Sequence, residues 1–226
     1  MRYESRYGRG VQSRHAAPLL FGAALAAAAG FAAIARAVAR RDTAAVDHDV
    51  HGKTAIEPGH PVRRAAEAAS PIGKWWTYVP AAALTGGYVL VSRKGVAGTS
   101  VILATAAAAA ALNHVFDDVL PQPPAPPGRP SPDHPVFPSG HPFGTSAVAL
   151  TAAYVLSREG AARAAIVFPV AMLIPVTTSA ARLLEEKHWI SDILGGHLAA
   201  LCLASLTLGL YEVALTRREA SSADTA

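Results

Sequence analysis

The sequence contains little cysteine, little charge and few aromatic side chains. Cys202 is the one cysteine among its 226 residues, so an intrachain disulfide is excluded. Charged residues make up 16% of the chain, against about 25% in an average soluble domain, which argues against a disordered chain, a coiled coil or a typical cytosolic enzyme. The net charge of +4 comes without a basic stripe with interleaved aromatic residues, so the composition does not indicate a nucleic-acid partner.

Six long runs without a charged side chain dominate the rest of the sequence. They cover residues 16–35, 75–92, 95–113, 142–157, 164–181 and 193–211. A helix that crosses a membrane needs about 20 mostly apolar residues, whereas a soluble helix needs a charged face that these runs lack. The sequence therefore predicts an all-α integral membrane bundle of about six transmembrane helices, with the lipid bilayer as its partner. A soluble bundle of buried alanine-rich helices is the less favoured alternative.

Polar segments between the runs divide the chain into regions. We predict a polar N-tail, a first membrane span, a polar loop, a core of membrane helices and a disordered C-tail, over residues 1–15, 16–39, 40–74, 75–215 and 216–226. Within the polar loop, residues 61–69 are expected to form a short amphipathic helix at the membrane interface. Ten of the 17 prolines lie between residues 117 and 142, which excludes a helix over much of that segment.

The first uncharged run has two interpretations. Basic residues precede it and Ala35-Arg36-Ala37 stands at its end, as in a cleavable signal peptide. The run is longer than the apolar region of about 7–15 residues that a signal peptide usually has. An uncleaved membrane helix is therefore the favoured interpretation.

Lysine and arginine predict the orientation of the bundle. With six crossings, the two tails and the turns at Arg93 and Arg158 share one side and carry ten basic residues. Short segments rich in lysine and arginine face the cytoplasm. We therefore expect both termini in the cytoplasm, and the proline-rich loop and the loop over 182–188 on the non-cytoplasmic side.

One candidate functional motif is Phe137-Pro138-Ser139-Gly140-His141. It lies at the end of the proline-rich segment and at the start of a helical run. Free backbone N–H groups at a helix N-terminus bind anions, and Gly140 allows a close approach of the backbone. Ser139 adds a hydroxyl donor, and His141 is placed to donate or accept a proton. Taken alone, a capped helix start with an incidental histidine explains the same residues.

A second cluster follows the fifth uncharged run. Arg182 is followed six residues later by His188 and four residues after that by Asp192. The guanidinium of Arg182 matches phosphate oxygens. An aspartate bonded to one imidazole nitrogen makes the other nitrogen a better nucleophile. Taken alone, a polar patch that anchors the ends of two membrane helices explains this cluster as well.

The remaining histidines show no compact spacing of metal ligands. His48, His51 and His60 are scattered, His114 and His134 are expected to face water, and His197 is expected to be buried in the bundle. We therefore expect neither a metal site nor a cofactor.

Together the two clusters resemble the type 2 phosphatidic acid phosphatase superfamily, which also includes vanadium haloperoxidases. The second motif of that family, Pro-Ser-Gly-His, is present as residues 138–141. The third motif is Ser-Arg, five residues, His, three residues and Asp, and it matches residues 181–192 at each catalytic position. Ala181 replaces its serine, while Glu185 and Glu186 stand where the family often has an apolar residue and glycine. The resemblance covers roughly residues 74–211.

The first motif of the family, Lys, six residues and Arg-Pro, has no clean counterpart. Alignment on the end of the third run puts Asn113 at the lysine, whereas alignment on Arg129-Pro130 puts Gln122 there. Both alignments lack the lysine. Arg129 is the candidate for the arginine of this motif.

The resemblance implies phosphoryl transfer without a metal. His188 would attack phosphorus and form a phosphohistidine, Asp192 would orient its imidazole, and His141 would protonate the leaving oxygen and then activate water. The phosphate-binding residues would be Arg182, Ser139, Gly140 and Arg129. The implied substrate is a lipid phosphate or diphosphate, such as phosphatidic acid, a phosphatidylglycerol phosphate or a polyprenyl diphosphate.

Three other functions stay open at this stage. The missing lysine favours a non-catalytic or weakly active member that binds lipid phosphate. A vanadate-dependent haloperoxidase would need a similar anion pocket. A structural or transport protein would carry polar residues along a path at the membrane midplane, and the uncharged runs contain almost none.

Overall fold

The computed structural model describes residues 4–127, 129 and 136–223, and the side chains of 15–127, 129 and 136–222. In these ranges the chain forms eight α-helices, and no residue lies in a strand. The helices are α1 (Glu4–Arg40), α2 (Ala44–Thr54), α3 (Pro61–Ala69), α4 (Trp75–Arg93), α5 (Val96–Val119), α6 (Gly140–Arg158), α7 (Ala164–Leu184) and α8 (Ile190–Ala223), with a 3₁₀ turn at Ser70–Gly73. The all-α prediction is confirmed.

The uncharged runs fall in six separate helices, namely α1, α4, α5, α6, α7 and α8. Among the described residues, four helical segments are long and apolar enough to cross a membrane by length and composition: 15–40, 96–119, 164–184 and 190–222. Helices α4 and α6 are 19 residues long and contain more threonine, serine, glycine and tyrosine, which lowers their hydropathy. The prediction of an integral membrane bundle is confirmed.

Helix α6 lies at the centre of the bundle. It contacts α4, α5, α7 and α8, and its inward positions Phe143, Ala147, Ala153 and Val155 are almost completely buried. Small side chains let membrane helices approach closely. The catalytic candidates at the start of α6 therefore rest on a helix that is packed on most sides.

The first and last helices extend beyond the membrane spans predicted for them. Helix α1 begins at Glu4, inside the predicted polar N-tail, and α8 continues to Ala223, into the segment 216–226 predicted to be disordered. The sequence after residue 216 contains Arg, Glu and Ala, which have favourable helix propensity, so the helix propagates past the apolar run. Residues 1–3 and 224–226 lie outside the described part of the chain.

The polar loop over 40–74 is largely helical. Helix α3 has the bounds predicted for the short amphipathic helix, Pro61–Ala69, with proline in its first turn and with the Nδ1 atom of His60 accepting from the Val62 N–H at 3.2 Å. Its inward face carries Arg63 and Ala66, which are buried, and it packs against α7. The loop therefore covers one end of the bundle.

Two adjacent, exposed tryptophans lie at the start of α4. Trp75 and Trp76 begin α4 and are 55% and 51% exposed, and the Nζ atom of Lys74 lies 4.5 Å from the ring centroid of Trp76. Tryptophan is enriched where membrane meets water. Because Gly73, just before α4, contacts His141, the start of α6 lies close to these tryptophans.

Candidate active site

The two sequence clusters meet at one end of the bundle. The Ser139 N–H donates to the Asp192 carbonyl at 3.0 Å. A Cβ at Gly196 would lie 2.6 Å from the Ser139 carbonyl oxygen, and a Cβ at Gly195 would lie 2.6 Å from the ring of Phe137. Glycine at these two positions of α8 therefore allows the close contact that joins the start of α6 to the start of α8.

His188 lies in the loop over 185–189, which connects α7 to α8, and it is buried. Its Nδ1 atom lies 2.9 Å from the Val136 carbonyl oxygen and 3.4 Å from Oδ2 of Asp192. A proton on Nδ1 that is donated to the Val136 carbonyl leaves the lone pair on Nε2. Oδ2 of Asp192 also accepts from the Trp189 N–H at 2.8 Å, which stabilises the first turn of α8.

The environment of His188 keeps its imidazole neutral. Burial, followed by the positive charges of Arg129 and Arg182, lowers the pKa of His188 to about 3. Burial lowers the pKa of Arg129 as well, opposed by the nearby carboxylate of Asp192. A neutral imidazole is the form that acts as a nucleophile, so His188 is in the required form at physiological pH.

Arg182 lies in the last turn of α7 and is buried. Its Nη2 atom donates to both carboxylate oxygens of Glu185 at 2.8 Å and to Oγ of Ser70. Its Nε atom has no hydrogen-bond partner among the described residues. One side of the guanidinium is therefore held by the protein, and Nε is available to an anion.

Three further buried polar atoms of the site have no hydrogen-bond partner within the described part of the chain. They are Oγ of Ser139, Nε2 of His141 and Oδ1 of Asp192. Buried polar groups in proteins are hydrogen-bonded in roughly 90% of cases or more. The donors on Ser139 and Arg182 and the imidazole of His141 suit an oxyanion placed at the start of α6. Four unpaired atoms thus lie on residues that the sequence singles out, and others lie on Tyr78 and Thr151.

His141 lies in the first turn of α6. A Cβ at Gly73 would overlap its imidazole, so glycine at the end of the 3₁₀ turn makes room for this side chain. Thr145 Oγ1 donates to the His141 carbonyl at 2.7 Å. The segment before α4 therefore shapes the wall of the site next to His141.

The two residues that the alternative alignments put at the lysine of the first motif, Asn113 and Gln122, lie in different places. A Cβ at Gly140 would lie 2.8 Å from Oδ1 of Asn113, so Asn113 stands beside the start of α6. Gln122 instead binds backbone: its Nε2 donates to the Phe137 carbonyl at 2.8 Å, and its Oε1 accepts from the Val136 and Phe137 N–H groups at 2.8 and 3.0 Å. Asn113 therefore occupies the site, and Gln122 fixes the loop that precedes it.

Arg129 reaches the same site from the proline-rich loop. Its side chain is half-buried, and its charge acts on His188 and Asp192. Pro130, the residue after it, and Gly128 lie outside the described residues. The structure therefore brings together all seven candidate residues: Arg129, Ser139, Gly140, His141, Arg182, His188 and Asp192.

The polar loop contributes residues that the sequence analysis missed. Asp47 of α2 is buried and accepts from the Ser191 N–H at 3.0 Å and from its hydroxyl at 2.9 Å. Arg63 of α3 donates to Oε1 of Glu186 at 2.6 Å, and Nε2 of His51 lies 3.5 Å from Oε2 of that residue. Helices α2 and α3 thus clamp the residues on either side of His188. No local pattern predicts these pairs, because more than 120 residues separate the partners.

The other histidines that the structure describes lie outside the cluster of candidate residues. The rings of His48 and His51 pack edge-on against Trp189, and His114 is exposed. His197 lies inside the bundle and hydrogen-bonds serines of α6 and α7 at 2.8 and 2.9 Å. The prediction for His134 falls on a residue that the structure does not describe.

The described residues form a bundle of apolar helices with a cluster of buried polar side chains at one end. The profile of the PAP2 superfamily matches residues 94–214, and the chain belongs to the PAP2 superfamily. The resemblance found in the sequence is confirmed. This membership, together with the apolar helices, makes the chain an integral membrane protein and supports a phosphatase activity.

One solved structure has a similar fold. It is described as the first transmembrane PAP2 type phosphatidylglycerolphosphate phosphatase from Bacillus subtilis, with a TM-score of 0.73 and 21% sequence identity. The alignment covers 83% of this chain and 95% of that chain. At this identity the likeness shows the fold. No curated protein matches the sequence.

Proposed function

We propose that the protein dephosphorylates a membrane lipid phosphate or diphosphate without a metal and through a phosphohistidine. The observation that carries this proposal is the group of four buried, unpaired polar atoms around a neutral His188. They lie on Ser139, His141, Arg182 and Asp192. Three of these groups can donate hydrogen bonds to phosphate oxygens, and the imidazole of His188 supplies the nucleophile.

In the first step, Nε2 of His188 attacks phosphorus and the bond from phosphorus to the leaving oxygen breaks. His141 transfers a proton to that oxygen, so the lipid leaves as an alcohol or as a lipid monophosphate. Negative charge on the bound phosphate favours the protonated form of His141. The Val136 carbonyl and Asp192 stabilise the positive charge that develops on the imidazole of His188.

In the second step, His141 accepts a proton from water, which attacks the phosphohistidine. Inorganic phosphate leaves and His188 returns to its neutral state. Throughout, Arg182, Ser139 and the N–H groups around Gly140 stabilise the equatorial oxygens, and Arg129 adds a positive charge. These roles are the ones that the family resemblance implies for the same residues.

The position of the site supports a lipid substrate. It lies close to the exposed Trp75 and Trp76, and tryptophan is enriched where lipid headgroups meet water. The structural relative is named for phosphatidylglycerolphosphate, and phosphatidic acid and polyprenyl diphosphates carry the same reacting group. The lysine and arginine distribution favours a site on the non-cytoplasmic side of the cell membrane.

The test is phosphate release from these three lipids by the detergent-purified protein with EDTA present. We expect release from at least one lipid, no measurable release by His188→Ala, and a small residual rate for Asp192→Asn, which keeps the nucleophile but loses its orientation. His197→Gln is the matched control, because His197 is an interior histidine of the bundle that lies outside the site. Full inhibition by EDTA with recovery in magnesium, or an active His188→Ala variant, would contradict the mechanism.

A second candidate function is binding of lipid phosphate with little or no turnover. It is favoured by Asn113, which stands beside Gly140 and which one alignment of the first family motif puts at the position of the lysine. Loss of a cation that binds phosphate costs about 1–3 kcal/mol, by the scale of charge-assisted hydrogen bonds. Retained binding of phosphatidic acid vesicles without phosphate release from any lipid of the panel would support this alternative.

A further inference from the structure

The side chain of Glu185 is fully buried next to the site. We propose that Glu185 is a positioning residue that holds the guanidinium of Arg182 so that its Nε atom faces the phosphate. This inference rests on the proposed phosphatase function and adds a residue to its machinery. Glu185 acts through Arg182 and does not contact the substrate.

The contacts of Arg182 are concentrated on one nitrogen. Both carboxylate oxygens of Glu185 lie 2.8 Å from Nη2, and Oγ of Ser70 accepts from that same atom. Nε is buried without a partner among the described residues. The protein therefore fixes the guanidinium from one side and leaves its other side for a ligand.

The connection between the two side chains is short. Arg182 and Glu185 are three positions apart at the C-terminal end of α7, and the Glu185 N–H donates to the Ala181 carbonyl at 2.9 Å. Side chains three positions apart on a helix are neighbours. A side chain that is held before the substrate binds loses little rotamer freedom on binding, so more of the contact free energy appears as affinity.

A second arginine supports the turn that carries Glu185. Nη1 of Arg63 donates to Glu186 at 2.6 Å, and Nη2 donates to the Glu185 carbonyl at 3.4 Å. Glu186 has a φ of 58°, a left-handed conformation that residues other than glycine adopt at a cost in free energy. The pair with Arg63 helps to stabilise that conformation, so α3 holds the backbone from which Glu185 projects.

Charge explains why a carboxylate suits this position. Arg182 is buried, and a buried cation without a counter-ion is costly. Glu185 supplies the counter-charge before substrate binds, and it also pairs with Nζ of Lys187. An apolar residue at position 185 would leave Arg182 to find another partner in the same pocket.

The experiment is a double-mutant cycle read as kcat/KM on the best lipid of the panel. We expect Glu185→Ala to lower kcat/KM about 30-fold in the wild-type protein and less than about 2-fold in the Arg182→Lys protein, because a positioning residue acts only through its partner. Glu185→Gln keeps one oxygen acceptor and should lose less than Glu185→Ala. Glu212→Gln, another fully buried glutamate that pairs with an arginine, should leave kcat/KM of the folded protein unchanged.

Binding of inorganic phosphate, measured by titration calorimetry on the same variants, keeps this inference separate from the proposed function. If no lipid is hydrolysed, the proposed function fails, and a loss of phosphate binding in Glu185→Ala that disappears with Arg182→Lys still supports the positioning role. Equal losses in both backgrounds would show a merely structural role. Tighter phosphate binding by Glu185→Ala would show that the carboxylate competes with phosphate, and would overturn the inference.

Discussion

Each end of the bundle buries a glutamate that pairs with an arginine. At the site, Glu185 lies 2.8 Å from Arg182, and at the opposite end Glu212 lies 3.0 Å from Arg158. Both glutamate side chains are fully buried. The pairs are far apart, because α8 runs from Asp192 to Glu212 with a rise of about 1.5 Å per residue, or about 30 Å in all.

The two ends differ in how completely their polar groups are paired. Oε1 of Glu212 accepts from the Tyr154 hydroxyl at 2.9 Å and from Nε of Arg158, and Oε2 accepts from Nη2 of Arg158 at 3.5 Å. At the site, Arg182 keeps one buried nitrogen without a partner among the described residues. The same residue types thus join helices where all their polar atoms are paired, and leave a donor available to a ligand where one atom is unpaired.

After the loss of the nucleophile His188, the largest expected effect on activity comes from the arginines of the site. Arg182→Ala removes the buried fork and should lower kcat/KM by at least about 1000-fold, whereas Arg129→Ala removes a half-buried charge and should lower it about 10- to 100-fold. Steady-state phosphate release on one lipid measures both variants. Near-normal kcat/KM for Arg129→Ala beside an inactive Arg182→Ala would show that the site works with a single arginine.

A substitution at the opposite end of the bundle should lower the stability of the protein and leave its phosphatase activity unchanged. Glu212→Gln removes the charge that pairs with Arg158 and should cost about 2 kcal/mol of stability, or a fall in Tm of about 4–8 °C for a chain of this size. Differential scanning fluorimetry in detergent measures the shift, and phosphate release per folded molecule should change less than about 2-fold. If Glu212→Gln lost as much activity as Glu185→Ala, the two glutamates would not differ in function.

The sequence predicted the features whose signals are local. Uncharged runs identified the helices, and the fixed spacing of Arg182, His188 and Asp192 identified one half of the site. Helix α3 was predicted with its observed bounds, because Pro61 suits a first helical turn and the apolar positions that follow repeat at helical spacing. In each case the residues that carry the signal are close in sequence.

Features that depend on distant partners were not predictable in this way. The atom nearest to Nδ1 of His188 is the carbonyl oxygen of Val136, and every residue has a carbonyl, so side-chain identity gives no signal. The clamp by Asp47 joins positions 144 residues apart. The short helix over residues 61–69 was expected at the membrane interface because of its amphipathic pattern, and the same pattern packs α3 against α7.

The smallest expected effect tests that clamp by comparing two aspartates of α2. Asp47 is buried and accepts two hydrogen bonds from Ser191, whereas Asp49 pairs with Lys53 at the surface, where the two side chains are 60% and 71% exposed. Asp47→Asn keeps one oxygen acceptor and should cost about 1 kcal/mol, or about 2–4 °C in Tm. Asp49→Asn should cost less than about 0.5 kcal/mol, because exposed ion pairs contribute little. Equal shifts in Tm for the two variants would show that α2 does not stabilise the start of α8.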